Sequence, residues 1–107
     1  MAHGTHDYVN DPKNADILID INGTLYPRED AKISVFDSGF VLGDGVWEGL
    51  RVHHGRIAFL DEHLTRLFDG AKTLDFEIGI SRDALVERLY RVLEANKMQE
   101  GVHIRLM

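Results

Sequence analysis

An α+β fold, with an antiparallel sheet of successive hairpins and two helices on one face, is predicted by the order of patterns along this chain. Extended, β-branched segments joined by tight turns come first, and two segments with helical apolar spacing follow, which is the order of an antiparallel sheet covered by helices. The length of 107 residues limits the chain to one small domain with a modest core.

Residues 1–16 carry Gly, Pro, Asn, Asp and two histidines without periodicity and are expected to form a loosely packed leader. The domain is expected to run from 17 to 107. Ile17-Leu18-Ile19-Asp20-Ile21 favours a strand, and Asn22-Gly23 is the strongest short signal for a two-residue hairpin turn, leading into Thr24-Leu25-Tyr26. Pro27 and Arg28-Glu29-Asp30 end that hairpin. Ala31 to Phe36 begins with polar alternation and runs into a glycine-rich stretch where the chain has to bend.

A second extended pair is expected over 46–53 and 56–59, joined by His54-Gly55. With Asp61 as N-cap, Leu64, Leu67, Phe68, Ala71 and Leu74 recur at spacings of three and four and predict a helix of about four turns. Ser81 can cap a second helix, with Asp83 in its first turn, Leu85, Leu89, Val92 and Leu93 on its buried face, and an end at Asn96-Lys97. Gly101 to Met107 alternates like a strand; it stops without a turn or a polar tail, so the chain is expected to be a fragment.

The formal charge of −6, from 12 Lys+Arg and 18 Asp+Glu, argues against a nucleic-acid surface, which needs a basic face. Cysteine is absent, which excludes disulfides and thiolate metal sites. No apolar run approaches the ~20 residues of a membrane span, and the polar leader lacks a secretory signal. A cytoplasmic protein with no membrane partner is expected.

The stretch Gly43-Asp44-Gly45-Val46-Trp47-Glu48-Gly49-Leu50-Arg51 concentrates three glycines, two acids and the only tryptophan. Its glycine spacing is one residue too long for a dinucleotide fingerprint, and it lies between extended segments. A sharp bend is expected instead, with unusual backbone angles at Gly43 and Gly45 and a close approach at Gly49. On a strand, Trp47 and Glu48 face opposite sides, and a lone tryptophan is most often core. Glu48 and Arg51 also face apart, which favours pairing of Glu48 with neighbouring strands. His63 and Arg66 lie three apart on one side of the first helix; a guanidinium at the rim of a cleft is well suited to a phosphate. Arg105 alternates with His103 and Met107, opposite Ile104 and Leu106, and can recognise a carboxylate or simply face solvent. The histidines show no metal-ligand spacing, so no metal is expected.

From about Ile17 to Met107, and most specifically in VFDSGFVLGDGVWEGLRVHHGRIAFLDEHLTRLFDGAKTL, the chain resembles the small amino-terminal domain of class IV, fold-type IV pyridoxal-phosphate aminotransferases. That group holds branched-chain and D-amino-acid transaminases and aminodeoxychorismate lyase. The resemblance implies that Arg66, in Glu62-His63-Leu64-Thr65-Arg66-Leu67, holds the phosphate of pyridoxal 5′-phosphate. It implies that Trp47 stands where the family places Phe or Tyr against the substrate, and that Arg105, with His103 and Leu42, joins the substrate wall. The Schiff-base lysine belongs, by the same resemblance, to a larger domain on a missing or separate chain, and none of Lys13, Lys32, Lys72 or Lys97 matches it. The implied activity is amino transfer between an amino acid or primary amine and a 2-oxo acid, in a homodimer or larger assembly. A lyase using the same cofactor, or a non-catalytic α+β interaction module, is the alternative.

Overall fold

The computed structural model describes residues 11–107. The expected leader therefore falls mostly outside them; over 11–16 the chain is exposed, with a 3₁₀ turn at Pro12–Asn14 capped by the Asp11 carboxylate. Strands β1 (Leu18–Ile21) and β2 (Thr24–Pro27) form the first hairpin, and Asn22 (φ 55°) and Gly23 (φ 91°) take the left-handed angles of the predicted turn. The Asp20 carboxylate accepts the Gly23 N–H at 2.8 Å and braces it.

Between this hairpin and the main sheet lies a short helix, α1 (Ser38–Leu42), that periodicity did not reveal. Its punctuation is nevertheless present. Asp37 accepts the Gly39 N–H at 2.8 Å as N-cap, and Gly43 (φ 73°) closes the C-terminus in the left-handed conformation. The bend is thus a helix end. Of the two glycines expected to take unusual angles, Gly43 does and Gly45 does not.

The main sheet has the order β4-β3-β5, all antiparallel, with β3 (Glu48–His53) central, β4 (Arg56–Ile57) and β5 (Val102–Leu106). Two boundaries differ from expectation. β3 begins at Glu48, two residues later than Val46, and β4 stops at Ile57 because Phe59 (φ 53°) swings the chain into helix α2 (Leu60–Thr73). Phe59, not Asp61, is therefore the N-cap; Asp61 and Glu62 lie in the first turn, where their charges oppose the helix dipole favourably. Helix α3 (Arg82–Asn96) follows the sequence reading: the Ser81 hydroxyl accepts the Ala84 N–H and Lys97 ends the helix.

The fold is the expected α+β class, with the strands divided between two sheets. The core lies between one face of the three-stranded sheet and the two helices: Leu50, Val52 and Ile57 meet Leu64, Leu67, Leu85, Leu89 and Leu93. Val92 stays half-buried, and Leu74 is 49% exposed, past the end of the stripe. The first hairpin is tied to α3: the Asn96 side chain accepts the Leu18 N–H at 2.7 Å and donates to its carbonyl at 3.0 Å, while Arg91 donates to Gly23 O. Among the described residues no helix is long and apolar enough to cross a membrane.

Candidate functional site

Alternation along β3 sends Glu48, Leu50 and Val52 to the helix-covered face and Gly49, Arg51 and His53 to the other. In β5, Val102, Ile104 and Leu106 face inward while His103 and Arg105 face outward, as expected. The absolute sense overturns two expectations. Trp47 is not core: it precedes the strand on the outward parity and is 56% exposed. Glu48 is the buried polar residue of the core, 6% exposed, and it does not pair across the sheet, because the residue opposite is Leu106.

The partners of Glu48 come from α2, one turn apart on the side facing the start of β3. His63 Nδ1 lies 2.7 Å from Glu48 Oε1; Arg66 donates from Nε to both carboxylate oxygens at 3.0 Å and from Nη2 to Oε1 at 2.7 Å. The hydrogen bonds from Arg66 hold the Glu48 carboxyl below its ordinary value, against the opposing effect of desolvation, with His63 adding to the depression. The carboxylate in turn raises Arg66, so the guanidinium stays charged. Although it is anchored, the Arg66 side chain remains 72% exposed, and among the described residues Nη1 makes no hydrogen bond. The arginine is thus held by one edge while the other edge is offered outward.

On the opposite face, the Arg105 guanidinium lies 4.6 Å from the centre of the Trp47 ring, a cation–π pair. Gly49 stands directly across from Arg105, and the His103 ring occupies the space above it; a Cβ at Gly49 would sit 3.0 Å from His103 Cε1. The close approach expected at this glycine is therefore a side-chain contact. Trp47, His103 and Arg105 thus lie on one face of the sheet. Leu42 is exposed at the end of α1, within an apolar run that also exposes Ile33, Val35, Phe36, Phe40 and Val41. Lys13, Lys32, Lys72 and Lys97 are all exposed or half-exposed, and none approaches Arg66 or Trp47 in a hydrogen bond or ion pair among the described residues.

The arginine locked by Glu48 and the indole beside Arg105 give this small α+β domain candidate side chains on both faces of its sheet. Residues 45–107, more than half of the chain, match the family described as amino-transferase class IV. This chain belongs to that family. It is 48% identical over 95 residues, 89% of its length, to branched-chain-amino-acid aminotransferase-like protein 1 of Arabidopsis thaliana. It is 33% identical over 81 residues, 76% of its length, to a D-alanine aminotransferase of Staphylococcus epidermidis. The solved branched-chain aminotransferase of the thermophilic archaeon Thermoproteus uzoniensis, with norvaline, superposes with a TM-score of 0.76 at 26% identity over 84% of the chain. The chain spans only 17%, 29% and 32% of these three proteins.

Glu48 is the candidate site residue that sequence reasoning missed. Its signal was a carboxylate at even parity with Leu50 and Val52, the most apolar positions of the strand.

Proposed function

We propose that this chain is the small domain of a pyridoxal-phosphate transaminase that moves an amino group between an amino acid and a 2-oxo acid. The carrying observation is the Glu48–Arg66 lock, a buried carboxylate that fixes a permanently charged guanidinium by its Nε edge and leaves Nη1 for an anion. That donor set fits a phosphate, which favours planar, charge-assisted N–H pairs. The shallow depression lined by Asp61, Glu62, Thr65, Arg66 and Asp69 carries three carboxylates, whose charge disfavours an anion there. One guanidinium edge cannot satisfy three phosphate oxygens, so further donors come from a second, larger domain on another segment or chain.

Arg66 would hold the phosphate, with Glu48 and His63 fixing its orientation. When bound, the cofactor supplies an electron sink for the carbanion left by removal of the substrate α-proton. Trp47 excludes water from one side of the substrate, and Arg105, steadied over the indole, offers positive charge to a substrate carboxylate. The exposed apolar run 33–42 supports burial of that surface against the larger domain or a second copy, in a homodimer or larger assembly. The absence of cysteine is compatible with a cytoplasmic location.

Substitution Arg66→Ala in the intact protein tests this reading. Equilibrium titration followed by the cofactor's visible absorbance is expected to show at least about tenfold weaker retention of pyridoxal phosphate, the usual cost of losing a charge-assisted donor. Unchanged affinity would refute the phosphate role. A preparation that stays colourless with added cofactor would favour the non-catalytic module.

A further inference from the structure

At the end of β3 remote from Glu48, a six-residue strand away and so roughly 16 Å at 3.3 Å per residue, the β3–β4 turn gathers three side chains that the proposed transaminase chemistry does not use. We propose that His53, His54 and Glu100 form a binding site for a divalent late-transition cation of the zinc type. Their ligand atoms all lie within 4.8 Å of one another, the one such cluster among the described residues. His54 Nδ1 is 2.7 Å from Glu100 Oε1 and His53 Nδ1 is 3.4 Å from Oε2. Bond lengths of about 2.0–2.1 Å to a tetrahedral ion place neighbouring donors roughly 3.3 Å apart, so the cluster needs only small side-chain adjustments to close on an ion.

Backbone geometry assembles the cluster. His54 takes φ 52° at the turn, which brings its ring to 4.1 Å, centroid to centroid, from that of His53. The Gly55 N–H donates to Gln99 O at 3.0 Å and fastens the turn to the segment ahead of β5, where Glu100 lies. The His54 backbone N–H also donates to Glu100 Oε1, so the carboxylate is oriented by a group other than the imidazoles, as metal-ligating carboxylates commonly are. Two imidazoles and a carboxylate are a zinc donor set, with the fourth position left to water, and they do not suit calcium or magnesium, which require several oxygens. The side chains are 72%, 80% and 51% exposed, so an ion reaches them without any opening of the fold. Bound there, it would clamp the hairpin tip to the approach of β5. Spacing rules could not find this site, because Glu100 is 46 residues from His54.

The test is calorimetric titration of the chain with zinc chloride, with His3→Ala and His6→Ala introduced to remove competing imidazoles and magnesium chloride as the control. One equivalent of zinc is expected to bind, with no binding of magnesium and a rise in melting temperature. Glu100→Gln, and separately His54→Asn, which tolerates the left-handed turn, should each weaken zinc at least about tenfold and abolish the thermal shift, while circular dichroism stays unchanged. Absence of zinc binding would overturn the proposal. So would unaltered affinity in both variants, which would move the ion to His63 or His103.

Discussion

Replacing Glu48 by Gln keeps the volume of the side chain and removes its charge, which isolates the contribution of the lock. The native carboxylate is 6% exposed and receives three contacts from Arg66 and one from His63. Hydrogen bonds to charged groups contribute about 1.5–3 kcal/mol each in favourable cases. The total here stays near one such bond, because Arg66 is 72% exposed and can turn to water once released. A loss of about 2 kcal/mol is therefore expected at neutral pH, which for a domain of this size lowers the melting temperature by roughly 8–16 °C. The pH dependence gives a second handle. The carboxyl of Glu48 is depressed in the folded protein below its ordinary 4.5, so between the two values the unfolded chain binds more protons and stability rises with pH. The contribution is fully present above 4.5 and disappears as pH falls through the folded value. Thermal melts followed by circular dichroism should show the gap between native protein and Glu48→Gln shrinking on acidification below that range. A gap that is absent at neutral pH, or that persists unchanged in acid, would refute the lock.

Asn96→Ala removes both bonds to Leu18 and one to Val92 O, and is expected to cost about 1–3 kcal/mol. Hydrogen exchange should then accelerate in β1 and β2 first, and uniform acceleration across all strands would contradict a local tether. For Arg105→Ala, the only tryptophan loses the guanidinium above it. Its emission should shift to longer wavelength and acrylamide quenching should rise; unchanged quenching would mean that the pair does not cover the indole.

Much of the scaffold was legible because its determinants are local. The three-and-four spacing of Leu64, Leu67 and Ala71 writes α2 into the chain, Ser81 marks the start of α3, and Asn22-Gly23 needs nothing beyond its own backbone preferences to turn. Family membership was legible for a related reason, since the charged and glycine positions from Gly43 to Arg66 form a linear pattern. The short helix α1 was missed although Asp37 and Gly43 punctuate it, because five residues are too few to display a period.

Residue spacing settles only relative directions: that Trp47 and Glu48 face opposite ways, that His63 and Arg66 face the same way, and that Arg105 and His103 share a side. The absolute directions come from packing. Strand alternation has a period of two and carries no label for which face meets the helices, so composition nominated the tryptophan for the core. Packing of α2 and α3 on the Leu50 and Val52 face buried the carboxylate instead, and the arginine of α2 that approaches it makes that burial tolerable. The same reasoning covers Glu100 and the two histidines, whose meeting depends on where β5 joins the sheet.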